Sequence, residues 1–233
     1  MRRLGPLYPG AVALVHSTPW RWPESIGNEA RSPAWVVALG VPIGVVAWLV
    51  AAAAHSLGLP PAVAALLGLA MLAVASAGLA ERGLAERIER GGSHSPGAAT
   101  IVGLVFLTLV RAAAIVSLPP AHWLGVFVGT AVAGRWAAIF LQALGDPIVD
   151  DDSPRSLVAT PAPLWLVGAI SAAVVAVGIV ALGRVAIVAF ALVAGVAFAL
   201  GLDAQRRDRG LSAPVVATAA AAAELIVLLA ATI

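Results

Sequence analysis

The sequence predicts an all-α protein, a polytopic membrane helical bundle of about seven transmembrane helices. Three observations predict it. First, 61% of the 233 residues are apolar, 11% are charged and the mean hydropathy is +0.99. That balance excludes a soluble globular domain of this length. Second, seven apolar runs (35–54, 59–79, 100–118, 123–144, 164–182, 185–202 and 215–230) divide the chain. Each reaches or approaches the ~17–25 residues that a helix needs to cross a ~30 Å hydrocarbon layer. Third, eleven of the fourteen arginines lie in the N-terminal arm, 81–99, 145–160 and 203–214, which are every second connection, whereas the other connections carry only Arg184. Backbone polar groups in lipid need internal partners, so the runs are helices. Arginine accumulates on the cytoplasmic side. The four charged stretches therefore share the cytoplasmic face of a multi-pass protein of an inner-type cell membrane.

Taken in order, residues 1–34 read as an interfacial or re-entrant arm, and 35–233 as a single transmembrane domain, because no linker is long enough to join two. The arm holds Pro6, Pro9, Pro19, Pro23 and Pro33, with Trp20 and Trp22 flanking Arg21. Such tryptophans suit headgroup depth. The apolar stretch 11–15 is too short for a cleavable signal. The spans pair into hairpins through short outer connections at 55–58, 119–122 and 183–184. A seventh span leaves the C-terminus outside; six spans, with the last only partly inserted, is the alternative. Alanine-rich stretches such as 62–70 and 217–223 suit close helix packing in lipid. Trp35, Trp123 and Trp165 fall at span ends, where aromatic rings anchor, and Trp48 and Trp136 lie deeper. No long internal repeat supports a transporter built from two halves. A short tandem is present, Gly78-Leu79-Ala80-Glu81-Arg82 followed by Gly83-Leu84-Ala85-Glu86-Arg87.

The chemistry-bearing residues are few. With no cysteine, thiolate metal sites, disulfides and thiol catalysis are excluded. Arg111, Arg135 and Glu224 interrupt apolar spans, and such residues mark functional or paired sites. Counted along their helices, each lies roughly 14–17 Å from the cytoplasmic end, so all three can meet in one layer. Two readings stand: a buried ion pair of Glu224 with Arg135 or Arg111, or an arginine-lined cavity for a phosphate or other anion, which the guanidinium fork suits. Glu86 and Glu89 share one face of a helix three residues apart. They read either as carboxylates for Mg²⁺, which favours oxygen ligands and substrate phosphates, or as a salt-laced helix end. The acidic loop Asp146–Asp152 offers further carboxylates or is a solvated loop. Of the four histidines, only His94 falls in a charged loop where it could join a site.

Over most of its length the chain resembles the cobalamin synthase family, adenosylcobinamide-GDP ribazoletransferase. Ser17-Thr18-Pro19 and Val41-Pro42-Ile43-Gly44 are similar to that family's opening elements. Its signature His-x-Asp-Gly-Leu-Ala-Asp-x-x-Asp falls on residues 80–89, where Gly83, Leu84 and Ala85 match, Glu86 and Glu89 replace aspartates, and the histidine and first aspartate are lost. Ser93-His94-Ser95-Pro96-Gly97 leading to Arg111 resembles the Asp-Ser-x-x-Gly element and its buried lysine, with Gly97 retained. About ten residues between these two signatures are missing here. Gly134-Arg135-Trp136 resembles a Ser-Arg-Trp element. The closing element corresponds to Gly210-Leu211-Ser212-Ala213-Pro214 and then Glu224, with Pro214 and Ala221 in place of acidic residues.

The resemblance implies a membrane transferase that joins adenosylcobinamide-GDP to α-ribazole, or its 5′-phosphate, with release of GMP. It implies Mg²⁺ held by Glu86 and Glu89, which would be catalytic together with Glu224. Arg111, Arg135, Gly97 and Ser212 would bind substrate phosphate, and Glu224 would orient one arginine. The expected partners are those two substrates, the lipid bilayer, and a second copy of the chain or other cobalamin-pathway enzymes; nucleic acid is not expected. The lost acidic positions leave open a non-catalytic relative that binds corrinoid intermediates or scaffolds the pathway. Transport of a small anion through the arginine layer is a third reading.

Overall fold

In the computed structural model, residues 10, 11, 13, 14, 18, 19, 33–89, 97–145, 148 and 163–233 are described. Among them every regular element of length is helical: α1 (Pro33–Ala38), α2 (Gly40–Ser56), α3 (Pro61–Ala75), α4 (Leu79–Ile88), α5 (Ala98–Val116), α6 (Trp123–Gln142), α7 (Leu164–Leu182), α8 (Val185–Asp208) and α9 (Ala213–Ala230), with a 3₁₀ turn at Pro120–His122. The fold is an all-α bundle, as the composition requires. Five helical segments are long and apolar enough to cross a membrane: Pro33–Ser56, Ala98–Val116, Pro120–Gln142, Val185–Arg207 and Ala213–Ala230. A sixth exists if α3 and α4 count as one span, and the apolar stretch Leu164–Val180 of α7 is shorter. The acidic residues of the expected loop 146–152, the phosphate element 93–96 and nearly all of the N-terminal arm lie outside the described residues.

The second apolar run differs most from its sequence reading. It was expected to run straight through 59–79, but α3 ends at Ala75 and the chain turns by 82° into α4. The turn is made by Ala77 (φ 56°) and Gly78 (φ 61°), both left-handed. The Gly78 N–H donates to the Ala73 carbonyl at 2.7 Å and the Ala77 N–H to the Val74 carbonyl at 3.1 Å. This pair of bonds closes a helix C-terminus in a Schellman motif, with alanine where glycine usually sits. Ser76 is buried, and its hydroxyl donates to the Leu72 carbonyl at 2.7 Å. Left-handed alanine is strained by about 1–2 kcal/mol, against a glycine entropy cost of about half that. Ala77→Gly is therefore expected to leave the fold intact and raise stability by up to about 1 kcal/mol, read by thermal unfolding in detergent.

The interior is organised around α6 and α9. Within their apolar windows 67% and 61% of residues are buried, against 28% for α5, so α6 and α9 are the inner helices and α5 faces outward. Small side chains allow this. Gly40 and Gly44 of α2 face Val132 and Val128 of α6 so closely that a Cβ on Gly44 would stand 2.5 Å from the Val128 Cα. One apolar cluster joins α2, α3, α5 and α6 through Ala47, Ala51, Ala65, Ile115 and Phe127. A second joins α6 to α7, α8 and α9 through Ala137, Val174, Phe190 and Val227. The third, around Leu79, Leu141, Ala204, Leu211 and Val215, fixes α4 at one end of the bundle.

The tryptophans divide. Trp35 and Trp165 are exposed at helix starts. Trp123, expected to anchor at the interface, is buried instead, and its indole N–H donates to the Ile115 carbonyl at 3.1 Å, closing the end of α5. A buried indole needs such a partner. Trp136 packs edge-on against Phe190 and donates to Ser171.

Candidate functional site

The charged side chains buried among the described residues are Arg111, Arg135 and Glu224. They come from α5, α6 and α9. Each helix carries a run of alanine, valine or leucine on either side, so the helix forms regardless of the charge, and the charge is carried inward by the face it occupies. Arg111 donates from Nη2 to Glu224 Oε2 at 2.7 Å. Its Nη1 donates to Glu81 Oε1, from the first turn of α4, at 2.9 Å. One guanidinium thus bridges two carboxylates of different helices.

Arg135 lies beside this pair. Its neighbour Gly134 lies so close to α9 that a Cβ there would stand 2.8 Å from Glu224 Oε1. The guanidinium of Arg135 interacts electrostatically with the Glu224 carboxylate. It donates to the Ala131 carbonyl at 3.0 Å and to the Ser76 hydroxyl at 3.4 Å. Ser76 is the residue at the end of α3, so Arg135 also braces the bend. Two arginines and two glutamates give a cluster without net charge, the condition under which ions persist in an apolar surrounding.

The position of α4 completes the site. Gly83 meets Ala217 of α9 backbone to backbone, with the Ala217 carbonyl carbon 2.9 Å from where a Cβ would be. The Thr218 hydroxyl lies 3.3 Å from the Gly83 carbonyl. Arg87 pairs with Asp203 of α8 at 2.9 Å, and Arg207 pairs with the same aspartate. Beside the cluster, between α5 and α9, runs an apolar groove of about 270 Å³ lined by Leu84, Phe106, Val110, Ala221 and Leu225.

Of the residues singled out from the sequence, Arg111 and Glu224 are joined directly and Arg135 adjoins them. Glu86 is exposed, and Glu89 is half-buried at the end of α4. Among the described residues, Arg111 bonds to Glu81 and Glu224, and not to Glu86 or Glu89. Successive helical residues turn by about 100°, so Glu86 points about 140° away from Glu81 around α4. Gly97 and Ser212 are the residues immediately before α5 and α9, both extended, at helix starts rather than against Arg111.

Glu81 was missed. It falls at a variable position of the signature to which residues 80–89 bear a resemblance, whose acidic positions fall on Glu86 and Glu89. The signal that could have found it is the tandem: Glu81 and Glu86 hold equivalent places five residues apart, and a five-residue step cannot keep both on one helix face. The nearer to the apolar span turns inward.

The fit of Mg²⁺ to these residues can be judged from their donors. Among the described residues no three histidine, aspartate or glutamate side chains gather as a metal centre. Glu89 Oε1 is nevertheless buried without a hydrogen-bond partner among them. A carboxylate pair with such an oxygen suits Mg²⁺, which takes one or two carboxylates and completes its shell with water and substrate phosphate. No family model, no curated protein and no solved structure matches this chain.

Proposed function

We propose that the chain is a cobalamin-synthase-like membrane transferase, joining adenosylcobinamide-GDP to α-ribazole or its 5′-phosphate at the arginine-rich face of an inner-type cell membrane, with release of GMP. The observation that supports this reading is the meeting of Arg111, Arg135 and Glu224 under the end of the second apolar run, where the resemblance to the family's acidic signature falls. Phosphoryl-group chemistry depends on charge neutralisation and alignment more than on covalent help. The two arginines supply positive charge in a desolvated layer, and Glu224 holds Arg111 in orientation. The apolar groove between α5 and α9 suits the body of an amphiphilic substrate. Mg²⁺, held by Glu86 and Glu89, would neutralise substrate phosphate from the solvent side.

The exposed setting of Glu86, away from Arg111, favours a second reading, a non-catalytic relative that binds the corrinoid intermediate. One experiment separates them. Purified protein in detergent, given adenosylcobinamide-GDP, α-ribazole and Mg²⁺, is expected to form adenosylcobalamin and GMP. The paired substitution Glu86→Gln and Glu89→Gln is expected to lower the rate at least about tenfold to a hundredfold, because loss of even an outer-shell partner of a metal acts on that scale. Product formed at an unchanged rate by the double variant removes the metal assignment. Corrinoid binding without any product favours the non-catalytic reading.

A further inference from the structure

Arg111 has three nitrogens, and they are not equally committed. Nη1 holds Glu81 and Nη2 holds Glu224. Nε is buried and has no hydrogen-bond partner among the described residues. The side chain is only 4% exposed, so an idle donor there is costly, and the guanidinium has capacity beyond its two carboxylates. The carboxylates differ as well. Glu224 is 7% exposed and fixed within the inner helix α9, whereas Glu81 is 29% exposed. Glu81 stands in the first turn of the ten-residue α4, just past the left-handed bend.

We propose that Glu81 is an internal stand-in for a ligand phosphate: an incoming phosphate group displaces the Glu81 carboxylate from Nη1 of Arg111, while Glu224 keeps Nη2. The exchange is between like groups. A carboxylate and a phosphate both present oxygen acceptors to a guanidinium, and a phosphate monoester brings about twice the charge, −1.5 to −2 at neutral pH. Once Glu81 withdraws, Arg135, beside Glu224, adds its positive potential to that of Arg111. Released Glu81 already reaches solvent and rehydrates where it stands, so the cost of the exchange is confined to its bond with Nη1. Glu224 has no such exit, which assigns the exchangeable place to Glu81. The proposal rests on the phosphate-binding reading of this cluster, and adds that the resting protein occupies its own site.

The test uses the full chain in detergent micelles with pyrophosphate as the probe, titrated calorimetrically against wild type, Glu81→Gln and Asp208→Asn. The last removes one carboxylate at the final residue of α8, outside the ion pair that holds α4, and controls for net charge. A charged hydrogen bond contributes about 1.5–3 kcal/mol, so Glu81→Gln is expected to bind pyrophosphate about tenfold or more tighter than wild type. Asp208→Asn is expected to match wild type. Equal affinity of wild type and Glu81→Gln overturns the displacement and leaves phosphate binding standing. No binding by either overturns both. A gain shared by Asp208→Asn reduces the effect to general charge and also overturns the proposal. Glu81→Ser provides a second variant should the glutamine form fail to purify as a single species. Repeating the titration in nanodiscs of phosphatidylcholine and of phosphatidylglycerol is expected to give equal binding. Binding lost only in phosphatidylglycerol assigns the place to a lipid headgroup and overturns its assignment to a soluble phosphate.

Discussion

Glu224→Leu is expected to destabilise the bundle by about 3–5 kcal/mol, the cost of leaving a buried charge without its partner. The exposed end of the cluster cannot compensate. Glu81 already holds Nη1 of Arg111, and Nη2 would be left buried without its carboxylate. Arg135 loses the same carboxylate from its surroundings. Arg111→Leu alone is expected to be as harmful, because Glu224 is then buried beside Arg135 with its direct bond gone. The double variant Arg111→Leu, Glu224→Leu removes both charges together and is expected to recover at least half of the single-variant loss, since apolar replacements of a buried pair are often neutral. Unfolding midpoints in detergent for the wild type, both singles and the double form a closed cycle. A double variant as unstable as the sum of the singles would mean that the two residues do not act as a pair.

Gly44→Val is expected to separate α2 from α6. A Cβ at position 44 meets the Val128 Cα at 2.5 Å and the Phe127 carbonyl oxygen at 2.7 Å, and these are backbone atoms that no side-chain rotation can move aside. Overpacking in a well-filled interior costs about 1–3 kcal/mol, and a contact against backbone falls at or above the upper end. Close approach of glycine faces is also what holds helices together in lipid, where the hydrophobic effect between them is absent. The expected outcome is loss of a single folded species on size exclusion, or a large fall in the unfolding midpoint. Gly168→Ala is the matched control, because a Cβ there has nothing within 4 Å. It is expected to be neutral or to stabilise α7 by up to about 1 kcal/mol.

The helical class was legible because composition and run length leave a membrane chain no other backbone solution. All seven apolar runs contain helix, and the three charged interruptions were recognisable because the spans around them are so uniform. What was not legible is the bend inside the second run. Ala77 and Gly78 are ordinary small residues in an apolar stretch, and only the tertiary contacts of Gly83 and Arg87 show why α4 departs from the axis. That departure reassigns the acidic residues: it turns Glu81 under Arg111 and leaves Glu86 outside. Trp123 was misplaced for a similar reason. A tryptophan at a span end is either an interfacial anchor or a cap for its neighbour, and the Ile115 carbonyl decides between them only in three dimensions.

The early end of α3 also acts on the surrounding lipid. Fifteen residues of helix extend about 22 Å, well short of a hydrocarbon layer of ~30 Å. A mismatch of that size is accommodated by bilayer thinning, by snorkelling of flanking residues or by association, each at a fraction of a kcal/mol per ångström. Acyl-chain length thereby becomes a control variable: short-chain lipids favour the bent arrangement, and long-chain lipids strain the corner that keeps Glu81 on its arginine.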